Sequence, residues 1–382
     1  MKYYVTFVFI LLFSAALMAQ TALYNSGNFR IHDQGQIGFH THLINDASFD
    51  ENLGLAGFYG IQAISVSGAF MPVFFDVEIA NDGGVDLQTT VHVTNNTNFI
   101  VGDFTSPRTQ ADIYYQFLRD AFYVGDSDAS KIDGYVTLTD RQSFAFPVGD
   151  AAQLRPLILN SEGNNTLAKC AYFREDPNNP SAFPPFDTTI RPRTIGGIST
   201  VEFWRLEGSV PSTITLNWND RSALGSLATD VGQVTIMGWN KAGNSWLSLG
   251  NVAVGGDLTM GFISSGTFIP DEYEVITFGS LAEPEDVLTL DNYLLTPNGD
   301  GINDVLVVPE MELSPNNSIK IYDRYGLKVF DMVNYTDEFD GISNTGNLVI
   351  NRQRGLPEGI YFYLISLDDL GLSYQGFLYL ER

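Results

Sequence analysis

Oxygen-bearing side chains at short spacing are the first candidates for chemistry in this sequence. Asn298-x-Asp300-Gly301-x-x-Asp304 has the spacing of a calcium loop, with oxygen donors around a glycine that permits a sharp turn. Asn298, Asp300 and Asp304 would be the calcium ligands. A complete helix–loop–helix calcium site fails, because Thr296 stands at its first position and Val307 at its twelfth. The same side chains also suit an Asx-type turn, in which they accept hydrogen bonds from nearby backbone N–H groups. Asp126-x-Asp128 with Asp133-Gly134 is a second oxygen-rich cluster. His40 and His42, at i and i+2, would share one strand face and with His32 could bind Zn²⁺. The plainer reading is a solvent-facing strand carrying two polar residues.

Motifs for a zinc protease, a serine hydrolase, a P-loop or a dinucleotide site are missing. With 45 Asp and Glu, a carboxylate pair suited to glycoside hydrolysis has material to draw on. No sequence feature marks a cleft around such a pair, so the expectation is a protein that is not an enzyme. Against those acids stand 20 Lys and Arg, a net charge of −25, which repels phosphate backbones and excludes nucleic acid as a partner. The lone Cys170 rules out an internal disulfide or a CxxC site and reads as a small buried hydrophobe.

The elements that must position these residues are strands. Aromatics at 13%, 36 glycines and only 17% charged residues favour short strands and frequent turns over long surface helices. Residues 1–19 read as a signal peptide: Met1-Lys2, an apolar run from Tyr3 to Leu17, and cleavage before Gln20 or, alternatively, after Ala16. No later stretch is long and apolar enough to span a membrane as a helix. From 20 to 144, short alternating pieces such as Gln36–Phe39, Ile61–Val66, Phe75–Ile79 and Thr90–Val93 recur at loose intervals of about 8 to 14 residues. They fit a stacked, β-helix-like coil or an irregular sandwich. The segment 111–123 has both helix-like spacing and strand-like aromatics.

From 145 to 283 longer strands, among them Leu157–Leu159, Ser199–Leu206, Thr213–Trp218, Gln233–Trp239, Ser245–Leu249, Leu258–Ile263 and Tyr273–Phe278, read as an Ig-like β-sandwich. The Pro-rich stretch Asp176–Pro192 reads as a long exposed loop. After the acidic linker Leu281–Asp286, residues 284–382 repeat the sandwich pattern. Strands are expected at Val287–Leu290, Val305–Val308, Ile319–Asp323, Lys328–Asp331, Asn347–Ile350, Ile360–Leu367 and Tyr374–Leu380. Ile360–Ile365 is apolar in both phases, as suits a central strand buried on both faces. The fold class is therefore all-β.

The last region contains the blocks Leu295-Thr296-Pro297-Asn298-Gly299-Asp300-Gly301-Ile302-Asn303-Asp304 and Ile319–Phe330, with its Asp323-Arg324-Tyr325-Gly326 turn. Asn334-Tyr335, Phe339-Asp340-Gly341, Leu356-Pro357-Glu358-Gly359-Ile360-Tyr361 and Tyr374-Gln375-Gly376-Phe377-Leu378 follow in order. With these blocks the region resembles a known family, the gliding-motility-associated C-terminal domain of Bacteroidota, also described as the type B C-terminal signal of the type IX secretion system. Tyr325 and Phe339 stand where the family usually has Trp, and an insertion separates Gly341 from Leu356. A second likeness, to a junction in large surface proteins of the same bacteria, rests on Phe144–Asp150, Leu154-Arg155-Pro156-Leu157 and Glu202-Phe203-Trp204-Arg205. There it follows stacked-strand repeats and opens an Ig-like domain.

The resemblance implies a non-enzymatic cell-surface protein, exported through the type IX translocon and held at the outer membrane by a barrel of the PorP/SprF family. It would act as adhesin or adaptor in gliding or surface attachment, with a surface glycan or a larger adhesin as a further partner. The alternative is a secreted carbohydrate-active enzyme or glycan-binding module that uses the domain only for export. The residues implied for export or partner binding are Thr296, Pro297, Asn298, Gly299, Asp300, Gly301, Asn303, Asp304, Arg324, Tyr325, Gly326, Gly359, Tyr361, Tyr374, Gly376 and Phe377. The final strand is expected to offer the barrel an edge or an end. Asp187-Thr188-Thr189 is similar to the O-glycosylation acceptor of these bacteria, with Thr188 as the acceptor.

Overall fold

The computed structural model describes residues 22–282, 293–346, 355–370 and 372–382. The expected signal peptide, the strands expected at Val287–Leu290 and Asn347–Ile350, and most of the acidic linker lie outside these residues. The described residues are nearly all β, and the helices among them are short 3-10 turns.

The N-terminal part is a solenoid-like stack with two strands per coil. Ala22–Asn25, His42–Asn45, Ile64–Ser67, Val85–Leu87, Phe104–Thr105 and Ile132–Asp133 form one parallel sheet. Gln36–Phe39, Leu55–Gly60, Val73–Asn81, Val91–Val101, Tyr114–Phe117 and Tyr135–Leu138 form the other. Each strand pairs with the strand one coil later, at offsets from 19 residues (Gln36↔Leu55) to 28 (Phe104↔Ile132). The shorter interval seen in the sequence is therefore the half-coil. A single coil cannot bury its apolar side; stacking supplies the missing wall. Phe58 makes ring contacts with Phe39, Phe74 and Phe104, centroids 5.1 to 5.9 Å apart. At one corner, buried Asn25 donates to Asn45 Oδ1 (2.7 Å), and Asn45 donates to the Phe70 carbonyl (2.8 Å), so each amide ties its turn to the next. Gly68 turns that corner at φ +116, where an added Cβ would lie 2.2 Å from the Asn45 carbonyl oxygen. The ambiguous segment 111–123 resolves into the strands Tyr114–Phe117 and Phe122–Val124.

Tyr135–Leu138 is the strand at which pairing changes sense. It is parallel to Tyr114–Phe117 on one side and antiparallel to Ala168–Phe173 on the other. Ala168–Phe173 escapes the sequence reading because AKCAYF contains no β-branched residue. The sheet continues antiparallel through Phe203–Glu207, Tyr273–Leu281, Val234–Asn240 and Ser245–Gly250. Arg141–Phe146, Leu157–Asn165, Ser212–Trp218, Gly261–Ser264 and Ala253–Gly256 form a second sheet. Buried residues of both sheets share one core, with Trp218 against Phe278 (6.0 Å). The Pro-rich stretch is less exposed than expected: Phe186 is buried and packs on Trp239 and Phe203. An aromatic inside a proline-rich loop still gains from burial.

Residues 281–382, with 192–196, form a separate compact unit. Its strands run in the order Tyr293–Leu295, Leu372–Leu380, Gly359–Leu367, Asn317–Asp323, Lys328–Val333, the first pair parallel and the rest antiparallel. Tyr361, Tyr363, Ile365, Leu367, Leu378 and Leu380 point into a core closed by Met311, Tyr335, Phe339 and Leu356. Val305–Val308 is not a strand; it leads into the 3-10 turn Pro309–Leu313, whose proline has no N–H to give a ladder.

Candidate functional site

The central strand Gly359–Leu367 is apolar in both phases, but only one phase is buried. Ile360, Phe362 and Leu364 point the other way and are exposed, Phe362 to 49%. Register places Tyr379 beside Ile360 and Phe377 beside Phe362, and Leu294 beside Tyr379. The expectation of a strand buried on both faces is thus corrected: the sheet covers its core with one face and turns a contiguous apolar patch outward. An open groove of about 700 Å³, bordered by Tyr322, Arg324, Phe362, Leu364, Gln375 and Phe377, crosses this face. Of the patch, the sequence reading singled out only Phe377. The double-phase apolar pattern of Ile360–Leu367 was the available signal, and it fits an exposed recognition face as well as a buried one.

The expected edge is also different. Leu372–Leu380 has neighbours on both sides over Leu378–Leu380, because Tyr293–Leu295 pairs there in parallel. Gly376 lies on the core face, where a Cβ would stand 2.2 Å from the Tyr363 hydroxyl; a larger residue would displace that ring. Tyr361 is buried and donates to the Pro357 carbonyl (2.7 Å). Tyr374 is buried too, its hydroxyl without a hydrogen-bond partner. Gly359 opens the strand at φ +143. Arg382 reaches across, its guanidinium donating to the carbonyls of Leu356 and Gly341, both at 3.2 Å.

The loop after Tyr293–Leu295 folds its oxygens onto itself. Asp304 accepts from the N–H of Gly299 and of Gly301, each at 2.7 Å. Asp300 Oδ1 accepts from the Ile302 N–H, and Asn298 Oδ1 from the Asp300 N–H. Thr296 N–H donates to the Asn303 carbonyl (2.8 Å), closing the loop behind Pro297. Gly299 and Gly301 hold φ near +80, the left-handed region this nest requires. The N–H groups of Gly299 and then Gly301 hold the Asp304 carboxyl below the ordinary range. This is the Asx-turn arrangement, and no group of three or more His, Cys, Asp or Glu among the described residues is placed to hold a metal ion.

The hairpin tip at Arg324, Tyr325 and Gly326 is built by Asp323, whose Oδ1 accepts from the N–H of Tyr325 and of Leu327, both at 2.9 Å. Gly326 takes φ +80. Tyr325 is 78% exposed, with the Arg324 guanidinium 4.8 Å from its ring centroid. The two aromatic replacements thus differ in setting: Tyr325 is presented to solvent, whereas Phe339 is a core residue against Phe330.

The remaining sequence candidates are dispersed. His40 and His42 do not share a strand face: Phe39 ends one sheet's strand, the chain turns, and His42 begins a strand of the other sheet. His42 Nδ1 is engaged by Ser65. Asp133 pairs with Arg108, while Asp128 accepts from the Leu154 N–H, so the second oxygen cluster does not converge. Thr188 is half-buried and its hydroxyl donates to Asn178 Oδ1 (3.1 Å). Cys170 is fully buried, and burial pushes its thiol well up. One constellation went unforeseen although both its parts were noticed. Arg155 donates to both oxygens of Glu202 (2.7 and 2.9 Å) and to Ser222 Oγ, Tyr172 donates to Glu202, and the Trp204 indole donates to the Arg155 carbonyl. Arg155 is 2% exposed and Glu202 0%.

Residues 288–380 match the family model of the CHU_C type IX secretion signal domain. No curated protein and no solved structure matches the chain. The chain therefore carries a type IX secretion signal domain that addresses it to the type IX secretion machinery, as a secreted, surface-linked protein. No helix among the described residues is long and apolar enough to cross a membrane.

Proposed function

We propose that this is a non-enzymatic cell-surface protein, held after export at the outer membrane by a PorP/SprF-like barrel through residues 281–382, and serving as adhesin or adaptor in gliding or surface attachment. The observation that supports the retention is the outward apolar patch of Leu294, Ile360, Phe362, Leu364, Phe377 and Tyr379. An exposed patch of that kind in a secreted protein is costly unless a partner covers it. The Arg324–Tyr325 tip stands at the border of the same groove, and paired Arg and Tyr are common anchors at protein interfaces.

The test is fractionation of cells carrying Phe362→Asp with Tyr379→Asp in the full chain. Both positions face solvent, so the fold should hold. The expected outcome is loss of the protein from the outer-membrane fraction, at least tenfold. Unchanged retention would refute the docking role of this face. A secreted carbohydrate-active protein that used the domain only for export would appear in the medium without either substitution.

A further inference from the structure

The solenoid stack carries a second face that nothing in the export reading uses. On the outer side of the sheet that begins at Gln36–Phe39, register aligns Gly38, Gly57, Glu78, Asn98 and Val124 in one row. Tyr59, two residues beyond Gly57, points to the same side. A Cβ on Gly57 would lie 2.2 to 2.3 Å from Tyr59 Cζ, Cε2 and Oη alike. The ring therefore lies close over Gly57, and its Cδ2–Cε2 edge reaches Gly38. Glycine at both positions makes room for the ring, which stays half-buried, with the His40 ring 5.8 Å from it.

The ring is held in place from its far end. Its hydroxyl donates to Glu78 Oε1 (2.8 Å), and Asn98 donates to Glu78 Oε2 (2.8 Å). Burial and the Glu78 carboxylate push the Tyr59 phenol up to about 12, so it remains a donor at any physiological pH. One step along the strands, Asn95 donates to Asp76 Oδ1 (2.7 Å). Exposed Phe122 and Val124 close the row on the far side. None of the five strands contains Lys or Arg.

We propose that this face binds a neutral, extended glycan, with one sugar ring stacked on Tyr59 and hydroxyls meeting the Glu78–Asn98 and Asp76–Asn95 pairs. The inference stands on residues 36–124 alone and is independent of the export reading. A sugar offers an apolar C–H face to an aromatic and hydroxyl donors to carboxylates; an anionic glycan would meet Asp76 and Glu78 with no Lys or Arg on these strands to offset them. From Gly57 to Val124 the row spans three interstrand steps of about 4.8 Å, enough for an oligosaccharide of two or three rings.

The experiment is calorimetric titration of the purified full chain with cellohexaose, xylohexaose, mannohexaose and a β-1,3-glucohexaose, with an oligogalacturonate as the charged control. At least one neutral hexaose should bind, and the oligogalacturonate should not. Tyr59→Ala should weaken binding at least tenfold and Tyr59→Phe much less. Gly57→Ala, which keeps every polar group but lifts the ring, should weaken it at least fivefold with an unchanged melting temperature. Failure of all four neutral glycans, preference for the charged one, or equal affinity in Tyr59→Ala would overturn the proposal. Should Tyr59→Ala prove unfolded, the Gly57→Ala and Tyr59→Phe titrations decide.

Discussion

At the scale of single residues, the chain's charges are fixed by their settings rather than by their number. Arg155 and Glu202 neutralise each other inside an apolar core, and Arg155→Met alone should leave Glu202 buried without its cation at a cost of about 3–5 kcal/mol. The double variant Arg155→Met with Glu202→Leu should recover most of that loss, measured by urea unfolding followed through tryptophan fluorescence. Asp304 illustrates the opposite setting, an exposed carboxylate held by two backbone N–H groups. Its folded pKa is depressed, so its contribution is complete above the unfolded carboxylate value of about 3.9 and disappears as pH falls through the lower folded value. NMR titration of its carboxyl carbon should show a midpoint below that of a free Asp. Asp300→Ala with Asp304→Ala should lower the melting temperature equally with and without calcium, as befits a turn. The loop's residues were legible from the sequence because glycine and Asx side chains announce turns. The Arg155–Glu202 pair was not, because nothing in two separate short blocks states that they meet.

At the scale of elements, each strand's worth follows from its neighbours. Leu372–Leu380 pairs on both sides near its end and carries Leu378 and Leu380, both fully buried. Deleting Tyr374–Arg382 should therefore unfold a unit of about a hundred residues that has little core to spare. Export should fail, with the protein accumulating in the periplasm; normal surface display would contradict the role of this domain as the signal. In the stack, Phe58 touches rings of three other strands, and Phe58→Ala should cost about 3–5 kcal/mol. Period-two alternation made most strands readable. It could not say which coil follows which sheet, because a half-coil and a hairpin arm look alike at that length. The same ambiguity hid the outward face of Gly359–Leu367: alternation tells which residues share a side, never what lies opposite.

At the scale of the whole molecule, the net charge of −25 governs non-specific encounters. The protein should be retained neither on heparin nor on anionic vesicles at about 0.15 M salt, where the Debye length is about 8 Å; retention on either would contradict this. Composition alone made the all-β class legible, since few charged residues and many glycines leave long helices without material. The coil-by-coil pairing of the stack has a mechanical corollary. Among the described residues, each strand before the last coil is hydrogen-bonded only to neighbouring coils, so a pull on that part of the stack need break only one coil's bonds at a time. Under tension such a stack would lengthen in a staircase, each step releasing roughly 70 Å of chain for about twenty residues, and would dissipate shock as a graded shock absorber rather than snapping at a single load.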